Sequence, residues 1–250
     1  MAPYSVLVTG ANRGIGLGLV KEFLKNKDIQ HVIATARNPS TARELNAIND
    51  DRLTILKLEL TCDESIKDLY NQVEKIVGDR GLNILLNNAG ILSEYRTNQE
   101  PKRKDLTESF NVNVASAAVI TQIFLPLLRK AAAQVSGNEF STSRAAIVNI
   151  SSELESISDN TWGSAERGLL AYSTSKSALN SLMKTMSIDL EQDHILVVMF
   201  CPGWVTKDLG GPDARFTLDQ SIEELVPSIY KLSKEHHGGY FNRDLTKIPF

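Results

Sequence analysis

The chain has 250 residues, a formal net charge of −3 and a hydrophobic fraction of 42%, all ordinary for a soluble globular protein. This length suits one α/β domain whose core is large enough to need no disulfide or metal ion for stability. The charged residues form no long block of one sign, which argues against a nucleic-acid partner. We therefore expect a single domain over residues 1–250.

The cysteines, the histidines and the N-terminus favour a cytoplasmic protein without a metal site. Cys62 and Cys201 form no CxxC pair, which suits a reducing compartment. The four histidines show no HExxH and no Cys/His spacing typical of zinc. No signal peptide is visible, and the longest apolar run, Ile195–Cys201, is far shorter than the ~20 residues of a membrane span. We predict neither a metal ion nor a membrane partner.

Short apolar runs alternate with helical patterns along the chain. Seven runs are candidate strands: Ser5–Thr9, His31–Ala36, Leu53–Leu58, Asn83–Asn87, Ala145–Ile150, Ile195–Cys201 and Gly239–Asn242. Several of them are continuously apolar and show no apolar/polar alternation, which is typical of parallel strands buried on both faces. Helical spacing predicts a helix around Ile15, Leu19 and Phe23, a second with Asp63 as its N-cap, and others at about Thr107–Arg129, Tyr172–Leu190 and Ser221–His236. This alternation predicts a Rossmann-like, doubly wound α/β domain with a mainly parallel seven-stranded sheet and helices on both faces.

A glycine-rich turn, Thr9–Gly16, follows the first strand with the spacing G-x3-G-x-G. Gly10 would permit a tight turn, Gly14 a close approach to a pyrophosphate, and Gly16 close packing of the next helix. The free N–H groups of that helix would then face the anion. An ordinary turn is the alternative, but the position between a strand and an amphipathic helix favours dinucleotide binding.

The end of the second strand favours NADP over NAD. An NAD site usually has an acidic residue there to bind the ribose 2′-hydroxyl, whereas this strand ends with Ala36 and Arg37. The guanidinium of Arg37, with Arg13 as a second cation, suits a 2′-phosphate. A solvated charge at the strand end is the alternative interpretation of Arg37.

Two Y-x3-K motifs occur, Tyr172–Lys176 and Tyr230–Lys234. Residues four apart share one face of a helix, so a phenol and an ammonium could reach one site in either motif. Only Tyr172 follows a strand that ends in two serines, Ser151 and Ser152, and its helix is rich in small residues. We predict that this motif is the catalytic one and that the other lies on an exposed helix face.

Six motifs in order resemble those of the short-chain dehydrogenase/reductase family: TGxxxGxG at Thr9–Gly16, NNAG at Asn87–Gly90, the helix asparagine at Asn113, the serine at Ser152, Y-x3-K at Tyr172–Lys176, and Pro202-Gly203. The segments Ile147–Ser152, Ser136–Ser143 and Pro202–Val205 look more narrowly like carbonyl reductases of the Sniffer and C-factor type. The resemblance implies hydride transfer from NADPH to a small carbonyl compound. An alcohol or steroid dehydrogenase working oxidatively and a non-catalytic NADP-binding sensor are the alternatives.

The resemblance also implies residue roles. Tyr172 would be the general acid, Ser152 would bind the carbonyl oxygen, and Asn113 would help to hold a water near Lys176. A lysine ~4 Å from the phenol, at an effective dielectric of ~20, would lower its pKa by about 3 units. Cofactor contacts are expected from Gly10, Asn12, Arg13, Gly14, Ile15, Gly16, Arg37, Glu59, Leu60, Asn87, Ala89, Gly90, Tyr172, Lys176, Pro202, Gly203, Val205 and Thr206.

The sequence departs from the family pattern at several places. Ser152 and Tyr172 are 20 positions apart, so residues 153–167 should form a long substrate loop, as should 202–218. Trp162 and Trp204 would line a substrate pocket or pack within these loops, and the first loop is expected to act as a lid that contributes little to stability. Glu59 replaces the usual Asp, and Thr206-Lys207 stands in place of Lys-Thr. Ser151 competes with Ser152, because neighbours on a strand point to opposite faces. A homodimer is compatible with the sequence.

Overall fold

The structure is a computed structural model that describes residues 2–164, 167–206 and 214–250. Its seven strands form one sheet in the order β3-β2-β1-β4-β5-β6-β7, and every neighbouring pair is parallel. All seven predicted strands are confirmed to within one residue at each end; they are β1 Ser5–Val8, β2 His31–Ala36, β3 Leu53–Lys57, β4 Ile84–Asn87, β5 Ala146–Ile150, β6 Leu196–Cys201 and β7 Tyr240–Asn242.

The strand order reverses at β1, which pairs with β2 on one side and β4 on the other. In a doubly wound sheet the crevice outside the carboxyl ends of the strands at such a reversal is where ligands bind. The glycine-rich turn follows β1 and therefore begins at this reversal. The topology alone thus places the predicted phosphate-binding turn at the expected ligand crevice.

Helices connect the strands and cover both faces of the sheet. They are α1 Gly14–Lys25, α2 Arg43–Asn46, α3 Asp63–Val77, α4 Arg103–Phe110, α5 Ser116–Ala132, α6 Leu170–Asp189 and α7 Leu218–Tyr230. Helices α1 and α7 pack on one face, around Phe23, Leu225 and Ile229. Helices α3, α5 and α6 pack on the other, around Phe124, Leu179 and Met183. The predicted doubly wound architecture is confirmed.

Three predicted helix boundaries are wrong, each for a local reason. Cys62 is the N-cap of α3, and Asp63 is instead its first residue, where its negative charge favours the helix N-terminus. The helix expected at Thr107 begins four residues earlier as α4, whose mostly polar sequence gives little apolar periodicity. Helix α7 ends at Tyr230, and the rest of the predicted helix contains a separate 3-10 turn, which Ser233 caps.

A π-helical turn, Asn111–Ala115, joins α4 to α5, so that Arg103–Ala132 forms one long helical stretch. This stretch is the one candidate in the described part of the chain that is long and apolar enough to cross a membrane. However, 44% of its most apolar window is buried inside the fold. A core helix of a soluble protein meets the same criteria, so this feature is weak evidence for a membrane span.

Candidate active site

A cleft with a volume of about 1220 Å³ opens at the carboxyl ends of the strands. This volume exceeds the ~300–1,000 Å³ of a typical small-molecule site, so the cleft has room for a dinucleotide and a second molecule. All of the predicted site residues line its walls except Asn87 and Asn113. Residues 165–166 of the first predicted substrate loop and 207–213 of the second, with Lys207, lie outside the described residues.

The glycine-rich turn is locked to the loop that follows β4. Gly10 has a φ of +65°, and a Cβ there would lie 2.8 Å from the Cβ of Ala89. A Cβ on Gly16 would overlap the carbonyl oxygen of Gly10. Both positions therefore require glycine. The hydroxyl of Thr9 accepts hydrogen bonds from the N–H groups of Asn88 and Ala89, at 3.0 and 3.1 Å.

The N-terminus of α1 forms a second part of this wall. Its N-cap, Arg13, makes no side-chain capping bond, and the first helical turn contains no acidic residue. The first N–H groups of a helix lack partners within the helix and attract anions. Arg13 and the exposed Arg37 at the end of β2 line the same cleft. This set of donors and cations suits a ligand that carries phosphate groups.

The wall that follows β3 contains Glu59 and Leu60. The carboxylate of Glu59 accepts hydrogen bonds from the hydroxyl and the N–H of Thr61, at 2.9 and 3.3 Å. The carbonyl of Leu60 accepts a hydrogen bond from Ser116 at 2.8 Å. Glu59 is therefore close to the predicted ligand but is held by its own turn.

Asn87 does not line the cleft, and its cofactor contact stays a prediction. It is the last residue of β4, its side chain is buried, and it donates to the side-chain oxygen of Asn149 on β5 at 2.9 Å. Its neighbour Asn88, which sequence reasoning did not select, lines the cleft and donates to the carbonyl of Thr9 at 2.8 Å. Strand alternation could have shown which of the two asparagines faces the cleft, but only if the last residue of β4 had been known.

The side chain of Asn113 is also buried and does not line the cleft. It lies in the π-helical turn, accepts from the N–H of Ile91 and donates to the carbonyl of Ile91, both at 2.9 Å. It also donates to the hydroxyl of Ser175 at 2.9 Å. Asn113 therefore fixes the loop after β4 against α6. Its role in holding a water near Lys176 stays a prediction.

Tyr172 and Lys176 lie one turn apart on α6, and both line the cleft. The Nζ atom of Lys176 lies 5.7 Å from the centroid of the Tyr172 ring. It donates to the carbonyl of Ile150, the last residue of β5, at 2.8 Å. Lys176 is only 4% exposed, so this carbonyl provides its ammonium with a partner inside the fold.

The protonation of this pair differs from the prediction. Burial raises the pKa of Tyr172 to about 12, and a hydrogen bond with Ser152 opposes the rise. Burial lowers the pKa of Lys176 to about 8. The expected lowering of the Tyr172 pKa by Lys176 is therefore not seen. Desolvation is the largest cause of both shifts, because the loss of water disfavours the phenolate and the ammonium alike.

Ser152 is the serine that faces Tyr172. It forms the hydrogen bond that lowers the pKa of Tyr172, and it caps the short 3-10 turn Glu153–Glu155 by accepting from the N–H of Leu154 at 3.3 Å. The hydroxyl of Ser151 is buried without a partner among the described residues. The preference for Ser152 over Ser151 thus agrees with the geometry.

The two predicted substrate loops border the same cleft. Trp162 lines it with 61% of its surface exposed, and Trp204 lines it from the other loop. Trp162 is therefore too exposed to be packed into the core of the protein. Glu155, in contrast, is only 4% exposed, and its carbonyl accepts from the hydroxyl of Ser177 on α6 at 2.5 Å. The first loop is thus anchored at its start and open to the cleft further along.

The second Y-x3-K motif is separated by the fold. Tyr230 ends α7 and packs edge-on against Phe23, with ring centroids 6.0 Å apart. Lys234 lies in the later 3-10 turn and pairs with Glu191. Neither residue lines the cleft. The expected exposed helix face is wrong in detail, because Tyr230 is half-buried and packs against the hydrophobic core.

The described residues contain no group of three or more His, Cys, Asp and Glu side chains that could hold a metal ion. The cleft does contain charged residues that sequence reasoning left unassigned. These are Glu108, Glu153, Asp159, Arg167 and Arg215. They carry no motif, and only the tertiary fold brings them to one cleft.

Comparisons with known proteins agree with this fold. The family model described as short chain dehydrogenase matches residues 4–215. A structure described as the candidate carbonyl reductase Sniffer of Caenorhabditis elegans is 47% identical, covers 100% of both chains and has a TM-score of 0.93. The NADPH-bound carbonyl reductase from chicken fatty liver is 37% identical, with a TM-score of 0.94 over 100% of this chain and 95% of that one.

A shorter relative is the C-signal protein of Myxococcus xanthus. It is 30% identical to this chain over 68% of this chain and 93% of its own length. The predicted likeness to Sniffer-type carbonyl reductases is therefore confirmed at the level of sequence and fold. The chain belongs to the short-chain dehydrogenase family of oxidoreductases.

Proposed function

We propose that this protein is an NADPH-dependent carbonyl reductase that reduces a small carbonyl compound with Tyr172 as the general acid. The observation that carries the proposal is the convergence of Ser152, Tyr172 and Lys176 on one cleft with an uncapped helix N-terminus. The likeness to carbonyl reductases over the whole chain supports the substrate class. The proposed reaction has two parts, a dinucleotide bound in the crevice and a proton donated by Tyr172.

NADP(H) is the cofactor. The turn Gly10–Gly16, with Asn12 and Ile15, would hold its pyrophosphate, and Arg13 and Arg37 would pair with the 2′-phosphate. The other cleft residues that would contact the cofactor are Glu59, Leu60, Ala89, Gly90, Tyr172, Lys176, Pro202, Gly203, Val205 and Thr206. When bound, the nicotinamide supplies the hydride.

Tyr172 would give its phenolic proton to the carbonyl oxygen while the carbonyl carbon gains the hydride, so that the product is an alcohol. Its pKa of about 12 keeps this proton on Tyr172 at neutral pH. Ser152 would donate a hydrogen bond to the same oxygen and stabilise the charge that develops on it. The ammonium of Lys176 would then stabilise the tyrosinate.

Asn113 would act through its neighbours. It bonds the backbone N–H and carbonyl of Ile91 and the hydroxyl of Ser175. It thereby fixes the loop after β4 against the helix that carries Tyr172 and Lys176. We assign it a positioning role. Residues 153–167 and 202–218 would form the substrate side of one domain over residues 1–250. The cytoplasmic location and the homodimer stay predictions.

Reductase activity is tested by following the consumption of NADPH with a panel of quinones, aldehydes and ketones. We expect turnover with at least one class, and a kcat lowered about 10²- to 10⁴-fold after Tyr172→Phe. An oxidative dehydrogenase would instead reduce NADP⁺ in the presence of alcohols and leave the carbonyl panel untouched. A cofactor-binding sensor would bind NADPH without turnover in either direction, and either result would overturn the proposal.

A further inference from the structure

Phe216, which does not line the cleft, contacts the part of the cleft wall formed by residues 203–206. Its N–H donates to the carbonyl of Trp204 at 3.1 Å, and its carbonyl accepts from the N–H and the hydroxyl of Thr206, at 2.8 and 3.1 Å. Val205 and Phe216 also form a parallel β-bridge. The hydroxyl of Thr206 is thus used to fix its own segment.

Arg243, which directly follows β7, packs against Phe216 from behind. The central carbon of its guanidinium lies 3.6 Å from the centroid of the Phe216 ring. Its Nε atom lies 2.7 Å from a carboxylate oxygen of Glu224 on α7. A planar guanidinium can stack on a ring and pair with a carboxylate at once, whereas a lysine ammonium cannot replace the stacking.

The side chains of Phe216 and Arg243 also pack closely against the backbone of Gly203. A Cβ built there would lie 3.0 Å from a ring carbon of Phe216 and 3.1 Å from the Nη1 atom of Arg243. Neither Phe216, Glu224 nor Arg243 lines the cleft, and none belongs to either hydrophobic core. Among the described residues, Phe216 and Arg243 contact the 203–206 wall, and Glu224 contacts Arg243.

We propose that Arg243 is a positioning residue of the cofactor site: stacked on Phe216 and paired with Glu224, it fixes the backbone of residues 203–206 and thereby sets the affinity for NADPH. This inference rests on the proposed function, since it assumes that the cleft binds NADPH. It makes two measurable claims. The 203–206 backbone should be loosened when the stack is removed, and the loosening should weaken NADPH binding without changing the chemical step.

The test compares the full-length protein with Arg243→Lys, which keeps the charge near Glu224, and with Phe216→Leu, which removes the ring. Fluorescence titration gives the Kd for NADPH, and hydrogen exchange of the protein without cofactor reports on the amides of Gly203, Val205 and Thr206. We expect each variant to raise the Kd about five- to tenfold, since the guanidinium–ring contact is a mostly desolvated one. The kcat at saturating NADPH should stay within about twofold of the wild type.

The double variant Arg243→Lys/Phe216→Leu should bind NADPH no more weakly than the weaker single variant, because both changes remove the same contact. Glu224→Gln keeps the stack and should have a smaller effect on the Kd. Arg129→Lys is the matched control: Arg129 also pairs through Nε with an acid, Asp193, at 2.9 Å, but lies on α5 and does not line the cleft. It should leave the Kd and the exchange of residues 203–206 unchanged.

Failure of the inference is distinguishable from failure of the proposed function. If the wild type does not bind NADPH, the proposed function is wrong. If the wild type binds NADPH and both single variants bind it as tightly as the wild type, Arg243 does not position the wall. The same conclusion follows if the effects of the two changes on the Kd add in the double variant. Faster exchange across the whole chain in Arg243→Lys, with no excess at residues 203–206, would also overturn the inference by assigning Arg243 to general stability.

Discussion

The ammonium of Lys176 lies 5.7 Å from the centroid of the Tyr172 ring and donates to the carbonyl of Ile150 at 2.8 Å. The end of β5 therefore supplies the partner that keeps a charged lysine beside the phenol. Burial acts against both charged forms, since it lowers the pKa of Lys176 to about 8 and raises that of Tyr172 to about 12. In the protein without cofactor, the burial of this pair therefore lowers the free energy of unfolding.

This cost predicts that Lys176→Met stabilises the fold while it removes activity. The pKa of Lys176 falls from 10.5 to about 8 on folding, which corresponds to about 3 kcal/mol of lost stability at neutral pH. Loss of the hydrogen bond to Ile150 offsets about 1 kcal/mol of the gain. Thermal unfolding without cofactor should therefore show a higher Tm for the variant at neutral pH.

The sign of the pH dependence provides the control. A lysine whose pKa is lowered by folding destabilises the protein below its folded pKa, and this destabilisation disappears as the pH rises from about 8 to 10.5. The difference in Tm between wild type and Lys176→Met should therefore shrink over this range. A variant that melts below the wild type at neutral pH would show that the cost assigned to the buried ammonium is wrong.

The two Y-x3-K motifs predict opposite outcomes for the same substitution. Tyr172→Phe removes only the transferable proton and should lower kcat about 10²- to 10⁴-fold with NADPH still bound. Tyr230→Phe should leave kcat unchanged, because Tyr230 packs against Phe23 outside the cleft. Steady-state kinetics and NADPH titration of both variants test the assignment. Equal losses of kcat, or full activity of Tyr172→Phe, would contradict it.

Cofactor preference should depend on Arg37, which is exposed at the end of β2 on the cleft wall. Arg37→Asp places a negative charge beside the proposed 2′-phosphate and an acceptor beside the ribose hydroxyl of NADH. The ratio of the Kd values for NADPH and NADH should therefore reverse or approach one. Equal affinity of the wild-type protein for the two cofactors would refute the role of Arg37.

The strands were predictable because buried parallel strands are short apolar runs, and the glycine turn and the Tyr172 helix follow from such runs. What could not be predicted depended on single-residue register. Asn87 is the last residue of β4 and Asn88 is the first residue after it. The side chain of Asn87 is hydrogen-bonded to Asn149. Spacing on α6 placed Tyr172 correctly, but its pKa depends on desolvation, which no local pattern records.

Long-range contacts were beyond the reach of sequence reasoning for a second reason. The role of Asn113 is set by Ile91, which lies 22 positions earlier in the chain, and Arg243 contacts Phe216 only because β7 joins the sheet next to β6. Neither pairing leaves a periodic or compositional signal. The sequence therefore indicated which residues reach the cleft, and the fold was needed to show which residues hold them there.

His237 predicts a loss of stability at acidic pH. Its Nδ1 accepts from the N–H of Val197 at 3.2 Å, and its Nε2 lies 2.8 Å from the carbonyl of Ser187, so the neutral ring satisfies both partners. Burial lowers its pKa below 6.5; nearby Lys234 and Lys184 also lower it, and Ser187 and Glu191 oppose the shift. Its contribution to stability is therefore complete above about pH 6.5 and is lost as the pH falls through the folded pKa.

Thermal unfolding from about pH 7 to about pH 5 measures this effect. His237→Gln removes the titrating group, so its Tm should fall less steeply over that range than the Tm of the wild type. His31 is the comparator, because burial lowers its pKa as well, and His31→Gln should remove a separate part of the slope. An unchanged slope in His237→Gln would exclude His237 as a cause of acid sensitivity.

The loop after Ser152 should control substrate choice while contributing little to stability. Its anchors are fixed: Glu155 is buried, and the carbonyl of Ser164 accepts from the N–H of Leu169 at 2.7 Å. The intervening residues 156–163 are mostly exposed. Replacing 157–163 with a Gly-Ser link keeps both anchors, and it should leave the Tm and the Kd for NADPH nearly unchanged. The KM and the ranking of carbonyl substrates should change.

Trp162 and Ile157 give this prediction a matched pair of single variants. Both are exposed apolar side chains of the same loop, 61% and 84% exposed, but only Trp162 lines the cleft. Trp162→Ala should alter KM and substrate ranking with little change in Tm, because an exposed indole contributes little to the core. Ile157→Ala should alter neither the kinetics nor the Tm. A drop in Tm equivalent to the about 3–5 kcal/mol of a core tryptophan, with substrate ranking intact, would show that Trp162 is structural and that the loop is not a substrate gate.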